Sequence, residues 1–195
     1  MSSIGFLQLP PVTPEAQALF DEDVAEDGYV MNVTKLWSHH AALMTNLFDL
    51  MGQAVADQAL SFRQRGILVA ACASTLGDSY CSLAWGSKLA GVSDSDLAAA
   101  VIRGSDDGLS DDERALASWA RKVAADPNHT TAQDVEGLRS AGFTDSQIFA
   151  ITAFTALRLA FSTVNDALGI GPDAALQAAA PEAVAKAIEF GRAAQ

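Results

Sequence analysis

The segment LSFRQRGILVAACASTLGDSYCSLAWGSKLAG, residues 60–91, decides how the chain folds. Ser61 and Gln64 have the spacing of a capping box, in which the hydroxyl and the amide satisfy free backbone groups at a helix start. The apolar run that follows predicts a helix that Gly77 interrupts. Asp78 is a good N-cap residue, so a second helix is expected from there to the end of the segment.

The rest of the chain carries the same kind of helix-start signals. An alternating strand pattern is not evident in the sequence. The sequence therefore predicts an all-α protein. Further helices are expected to start at Ser93, Ser110, Thr131 and Thr144, with a C-terminal pair starting at Asp173 and Pro181.

The composition excludes several classes of protein. Half of the 195 residues are hydrophobic, which argues against a disordered chain. The formal net charge of −12 argues against nucleic acid as a partner, because phosphate binding needs clustered Lys and Arg. The longest nearly uncharged apolar stretch, residues 148–157, is too short to span a bilayer, and the N-terminus lacks signal-peptide features. We therefore expect a cytoplasmic protein that does not bind membranes.

An internal repeat is visible at a spacing of about 50 residues. The pattern Leu-Ser-x-x-x-Arg at residues 60–65 recurs at residues 109–114. Gly-Val-Ser-Asp-Ser-Asp-Leu at residues 91–97 is echoed by Gly-Phe-Thr-Asp-Ser-Gln-Ile at residues 142–148. Duplication accounts for both the order and the spacing, although capped helix starts also resemble one another by chance.

We predict that the whole chain is one helical domain. Two repeated units would leave apolar faces exposed, so they are expected to pack together and against another subunit of a homo-oligomer. The predicted parts are an N-terminal extension over 1–30, repeated units over 60–108 and 109–169, and C-terminal helices over 170–195.

The spacing of residues in the 60–91 segment resembles that of the carboxymuconolactone decarboxylase and alkyl hydroperoxidase D superfamily. The later part of the chain is similar to the peroxidase-related branch at residues 126–127, 138–143 and 166–169. The resemblance covers about residues 30 to 170 and implies an alkyl hydroperoxidase D-like helical bundle. The positions in the segment that match the family pattern are Arg65, Gly77, Tyr80, Cys81 and Gly91.

The resemblance implies an activity only in part. In the family, two cysteines cycle between dithiol and disulfide while a Glu and a His relay protons. Here Gly66 stands in place of the Glu, Asp78 in place of the first Cys, and Trp85 in place of the His. Of these four reactive positions, only Cys81 matches the family. The resemblance therefore implies a peroxidase-related, antioxidant type of oxidoreductase with a single site thiol and a degenerate Cys-x-x-Cys motif.

The chemistry of Cys81 depends on two opposing effects. With Asp78 as N-cap, the cysteine lies in the first helical turn, where free amides and the helix dipole favour a thiolate. The Asp78 carboxylate opposes ionisation as a like charge, and the sequence leaves the net sign open. Cys72 is the only internal candidate for a resolving thiol. On an unbroken helix it would lie about 13 Å away on the opposite face, too far for a disulfide, whereas a break at Gly77 would change this separation. Because Cys72 lies in the apolar run of residues 69–73, it is interpreted as buried core.

Three other side chains are candidates for the same site. Tyr80 is able to donate a hydrogen bond to an oxyanion or a bound carboxylate, although a half-buried aromatic role is the alternative. Trp85 lies one turn after Cys81 and is expected to make the pocket drier. Arg65 is interpreted either as a group that binds an acid or as half of an internal ion pair.

Histidine supplies the last candidate. His39 is a possible general base near a cleft, whereas its neighbour His40 would point elsewhere on a helix. No metal-ligand spacing, phosphate-binding loop or dinucleotide fingerprint is present in the sequence, so no metal or cofactor is expected. The predicted catalytic residues are Cys81, Tyr80 and Asp78, and the predicted pocket residues are Trp85, Arg65 and His39.

Three functions remain open at this point. The first is a peroxidase-related oxidoreductase acting on a hydroperoxide. The second is a non-redox enzyme or binding protein with a decarboxylase-like pocket for an apolar ligand carrying a carboxylate. The third is a helical assembly protein without catalysis. An enzyme is favoured over an assembly role.

Overall fold

The computed structural model describes residues 3–56, 58 and 60–195, so residues 1 and 2 of the predicted N-terminal extension lie outside this description. Apart from a short hairpin, β1 (Ser3–Ile4) with β2 (Leu7–Gln8), which the sequence did not predict, the regular structure there is helical. The all-α prediction is confirmed. The α-helices are α1 (Pro14–Asp27), α2 (Asn32–Trp37), α3 (Ala41–Val55), α4 (Phe62–Leu76), α5 (Ser79–Val92), α6 (Ser95–Ile102), α7 (Asp111–Ala125), α8 (Ala132–Ser140), α9 (Asp145–Ala167), α10 (Ala174–Ala179) and α11 (Glu182–Ala187).

Most of these helices start where the sequence predicts, because capping residues mark their first turns. Capping boxes open α4 at Ser61, α7 at Ser110 and α9 at Thr144. One predicted start is wrong by a residue: Asp94, not Ser93, caps α6, with its carboxylate accepting a hydrogen bond from Leu97 N at 2.7 Å. The repeated units thus begin on capped helices, and the duplication itself stays a prediction.

Gly77 separates α4 from α5. Its φ of +84° lies in the left-handed region, which glycine adopts without steric cost. The chain reverses there, with Asp78 N donating to Ala73 O at 2.9 Å. The turn lays α5 against α4 and places Cys81 in the first turn of a new helix.

Helix α4 is the centre of the core. It packs against α5, α7 and α9, and residues 66–73 are buried without a break. Gly66 lies against α5, where an added β-carbon would meet the side chain of Leu89 at 3.3 Å. This position therefore serves close helix packing.

Helix α9 is long and apolar enough, by length and composition alone, to cross a membrane. In its most apolar window 44% of the residues are buried within the fold, and it packs against α3, α4 and α7. Those contacts are what a core helix makes. They also bring its inner face to the first turn of α5.

A bidentate ion pair joins the two central helices α4 and α7. Arg63 donates to Glu113 through Nε at 2.6 Å and Nη2 at 3.0 Å. The side chains are 30% and 10% exposed. The Arg63 guanidinium lowers the pKa of Glu113, against an opposing effect of burial. The pair therefore stabilises the fold when the glutamate is ionised.

We expect Glu113→Gln to lower the free energy of unfolding by about 1–2 kcal/mol at neutral pH, because a charge-assisted bond is lost. The stabilisation is fully present above the ordinary pKa of a glutamate and is lost as the pH falls through the lower folded value. Urea titrations of both proteins at neutral and acidic pH measure it. A difference that persists undiminished in acid would contradict this account.

Candidate functional site

The first turn of α5 is organised by Asp78. Its Oδ1 accepts a hydrogen bond from Cys81 N at 2.9 Å, as expected of an N-cap. The residue is fully buried, and within residues 3–56, 58 and 60–195 its Oδ2 has no hydrogen-bond partner. A buried carboxylate oxygen with a free lone pair beside a thiol is suited to accept a proton.

Cys81 lies at the wall of a cavity of about 470 Å³. The thiol is otherwise buried, with 4% of the residue exposed. Carboxylates of α1 and Lys88 lie at the outer part of this cavity, and Arg158 lies at its inner part. Apolar side chains from α2, α3, α5, α9 and α10 also line it: Val33, Met44, Phe48, Trp85, Phe161 and Leu176.

The structure gives the sign that the sequence left open for Cys81. Burial raises the pKa of its thiol well above the ordinary value, and the Asp78 carboxylate raises it further. Arg158 and the Ser162 hydroxyl oppose these effects but do not outweigh them. The resting group is therefore a neutral thiol and needs a base to react at neutral pH.

We therefore expect Cys81 to be alkylated by iodoacetamide at a rate that rises about tenfold per pH unit up to pH ~9, because only the thiolate reacts. The measurement uses a Cys72→Ala background and free glutathione as the reference thiol. Glutathione should level off at higher pH in step with its own pKa. A plateau for Cys81 below pH ~8 would show an activated thiolate and contradict the assignment.

Arg158 is the functional candidate that the sequence analysis missed. It projects from α9, is 5% exposed and lines the same cavity as Cys81. Its guanidinium carbon lies 4.5 Å from the ring centre of Trp85, a cation–π contact. Its one signal in the sequence was the presence of an arginine within the long apolar stretch of α9. Choosing between Arg158 and Arg65 required the tertiary structure.

Tyr80 lines the cavity, but its hydroxyl already has a partner. It donates a hydrogen bond of 2.5 Å to Oδ2 of Asp173. Asp173 Oδ1 in turn accepts from Asn32 N at 2.9 Å. Burial, followed by the nearby Asp173 carboxylate, raises the pKa of Tyr80. The tyrosine thus ties α5 to α2 and the C-terminal segment, which is the structural role that the sequence left as the alternative to a donor for substrate.

Solved structures share this architecture. A peroxidase-related protein from Silicibacter sp. TM1040 superposes with a TM-score of 0.78 at 24% identity, over 89% of this chain and 94% of that one. The alkylhydroperoxidase AhpD core, a peroxidase-related protein from Ralstonia eutropha JMP134, superposes with a TM-score of 0.78 at 21% identity over 100% of both chains. The fold is that of the AhpD core.

A third similar structure is the debrominase Bmp8. Its cysteine-to-alanine variant, in complex with 2,3,4-tribromopyrrole, superposes with a TM-score of 0.73 at 16% identity, over 97% of this chain and 99% of that one. No protein-family model matches the sequence, and no curated protein is significantly similar to it. The AhpD-like fold expected from the 60–91 segment is confirmed by these structures.

Within the AhpD-like fold, two predicted pocket residues lie away from the cavity. Arg65 is half-buried over the ring of Phe62 at 5.4 Å and does not line the cavity of Cys81. His39 is exposed in a short 3-10 turn, outside the same lining, and His40 caps α3 by accepting from Leu43 N. Neither side chain therefore lines the predicted pocket, because Arg65 lies over Phe62 and the 3-10 turn leaves His39 exposed.

Trp85 and Cys72 lie as the sequence predicts. Trp85 lines the cavity and stacks on Phe62, with ring centres 5.8 Å apart. Cys72 is buried in α4, its thiol donating to Val69 O at 3.4 Å, and both cysteines are free. Burial raises the pKa of Cys72 to about 12, and unlike Cys81 it does not line the cavity.

Over the described ranges, no group of three or more His, Cys, Asp or Glu side chains is arranged to hold a metal ion. The Cys81 thiol and the Arg158 guanidinium line the cavity, and the Asp78 carboxylate lies beside Cys81 as the cap of the same helix.

Proposed function

We propose that the protein is a peroxidase-related oxidoreductase in which Cys81 is the single redox thiol and an external thiol is the reductant. The observation that carries this proposal is the position of Cys81 at the wall of a largely apolar cavity, beside a carboxylate with a free oxygen. The AhpD-like fold is consistent with it.

The proposed step begins with the neutral thiol of Cys81. Its sulfur attacks the outer oxygen of a hydroperoxide ROOH, and the O–O bond breaks. Asp78 takes the thiol proton and passes it to the leaving alkoxide, which departs as ROH. The outer oxygen keeps its hydrogen, so the sulfur is oxidised to a sulfenic acid while the peroxide is reduced.

An external low-molecular-weight thiol then restores Cys81. The first equivalent forms a mixed disulfide with the sulfenic acid and releases water. A second equivalent exchanges with that disulfide, giving the oxidised external disulfide and the free Cys81 thiol. This route needs no second cysteine from the chain, which fits the burial of Cys72.

Catalytic consumption of a hydroperoxide tests the proposal. Purified protein is mixed with cumene hydroperoxide and excess dithiothreitol, and the remaining peroxide is measured over time. Multiple turnovers above the rate without protein are expected. Consumption no faster than the protein-free mixture, in a protein shown to be folded by circular dichroism, would contradict the proposal.

A second candidate is a thiol enzyme that removes bromine from a brominated aromatic ring. The aromatic side chains around Cys81 favour it, and the fold is shared with a debrominase. In the net reaction an aryl bromide and two thiols give the debrominated ring, a disulfide, bromide and a proton. Bromide release from 2,3,4-tribromopyrrole in the presence of dithiothreitol distinguishes this candidate from peroxide reduction.

A further inference from the structure

Arg158 is a buried cation whose hydrogen-bonding capacity is almost unused. A guanidinium offers five N–H donors. Nη1 reaches the thioether sulfur of Met51 at 3.6 Å, a weak acceptor, and in the described part of the chain Nε has no partner. Burial of a charged group without hydrogen bonds is costly, so a site that keeps such a group calls for an explanation.

Neighbouring groups compensate the charge only in part. The guanidinium carbon lies 4.5 Å from the ring centre of Trp85, and 5.9 Å and 6.0 Å from those of Phe154 and Phe48. These contacts involve the ring faces and leave donors free. Across the residues that the structure describes, Arg158 forms no ion pair, although Asp78 lies within electrostatic reach.

The cavity in front of Arg158 has the properties of a small-molecule site. Its volume of about 470 Å³ lies within the ordinary range for such sites and leaves room for a one- or two-ring ligand. Apolar side chains such as Val33, Met44 and Phe161 suit the body of that ligand. Lys88 also lines the cavity but is exposed, whereas Arg158 is a buried cation on an apolar wall, an arrangement that suits a single negative charge.

The carboxylates at the outer part of the cavity do not reverse this preference. Glu26 and Asp27 on α1 are exposed, so water and salt screen their repulsion of an approaching anion. Asp23, which is partly buried, accepts a hydrogen bond from Met31 N at 2.8 Å. Because Arg158 is 5% exposed, its attraction for an anion is screened much less than the repulsion by the exposed carboxylates.

We infer that the cavity binds an apolar or aromatic carboxylate, with the carboxylate paired to Arg158 and the apolar body packed against Trp85. This inference rests on the proposed function, since it names the substrate class of the same site: the hydroperoxide of an apolar carboxylic acid. Arg158 holds the acid group at one end of the cavity while the peroxide group meets Cys81.

The test is a binding measurement that requires no redox chemistry. Isothermal titration calorimetry compares three ligands of the same shape, which are 1-naphthoate, neutral 1-naphthalenemethanol and cationic 1-naphthylmethylamine, on a Cys81→Ser background. We expect the naphthoate to bind about 10- to 100-fold more tightly than the alcohol, as one charge-assisted bidentate pair allows. Equal or tighter binding of the alcohol or the amine, or no binding of the naphthoate, would overturn the inference.

Variants then assign the preference to Arg158. Arg158→Met should abolish the preference for naphthoate, and Arg158→Lys should keep part of it, with thermal melts showing that each variant is folded. Arg65→Met is the matched control, because Arg65 also stacks on an aromatic ring but lies outside the cavity lining. An unchanged preference in Arg158→Met, or its loss in Arg65→Met, would overturn the inference.

The two proposals fail in different ways. If naphthoate binds through Arg158 but no hydroperoxide is consumed, the proposed redox function fails and the anion-binding assignment stands. If hydroperoxide is consumed but naphthoate and the alcohol bind equally, the redox function stands and the substrate class is wrong.

Discussion

Cys81→Ser is expected to reduce hydroperoxide consumption to the rate of the protein-free mixture, a loss of at least about 100-fold. The serine hydroxyl has nearly the same size, so the cavity and the helix cap remain. It lacks the nucleophilic sulfur that accepts the peroxide oxygen. Initial rates with cumene hydroperoxide and dithiothreitol measure the effect.

Cys72→Ser is the matched control for that loss. The same chemical change is made in α4, where the thiol donates to Val69 O and a hydroxyl is able to do the same. We expect the rate to remain within about twofold, because Cys72 does not line the cavity in which the peroxide is proposed to react. Equal rates for Cys81→Ser and wild type, or a loss confined to Cys72→Ser, would show that the thiol has been misassigned.

Asp78→Asn is expected to slow peroxide reduction by about 100-fold, because the group that accepts the thiol proton is lost. Asparagine caps helices as well as aspartate does, so α5 should keep its start. The substitution also removes the negative charge that raises the pKa of Cys81, so that pKa should fall. Iodoacetamide alkylation at pH ~8 should therefore become faster while peroxide reduction becomes slower.

These opposite changes separate the two roles of Asp78. If the carboxylate acted only through its charge, both reactions would become faster in Asp78→Asn. The matched control is Asp94→Asn, since Asp94 caps α6 with the same geometry but accepts from Leu97 N, whereas Asp78 accepts from Cys81 N. Peroxide reduction should be unchanged in that variant, and a comparable loss there would indicate a general effect of cap replacement.

The local features of the fold were predictable because their signals are local. Ser61 with Gln64 and Gly77 with Asp78 act over at most three residues, so their patterns predict the ends of α4 and the start of α5 correctly. The start of α6 was misplaced because Ser93 and Asp94 are both good caps. The hairpin over residues 3–8 has too few residues to show a strand period.

The candidate site was predictable only in its first turn. Cys81, Asp78 and Trp85 lie within one helix and its cap, so their spacing predicts that they lie together. Arg158 reaches the same cavity from another helix, and its contact with Trp85 spans more than 70 residues of sequence. The sequence analysis selected Arg65 instead, but in the structure its guanidinium lies over the ring of Phe62.

The role of Tyr80 also depends on a partner that is distant in the sequence. Its bond to Asp173 joins residues 93 positions apart, and no pattern around either residue predicts it. The ionisation of Cys81 depended on burial, which outweighs the helix-start effects seen in the sequence. In both cases the outcome depends on the tertiary structure, which a local sequence pattern does not contain.

In the proposed mechanism, Cys81 is the only thiol of the chain that a hydroperoxide oxidises. The most direct measurement is to treat the wild-type protein with one equivalent of cumene hydroperoxide, trap sulfenic acid with dimedone and map the adduct by peptide mass spectrometry. The account predicts an adduct on Cys81 and none on Cys72. An adduct on Cys72, or complete absence of trapped sulfenic acid while peroxide is consumed, would contradict it.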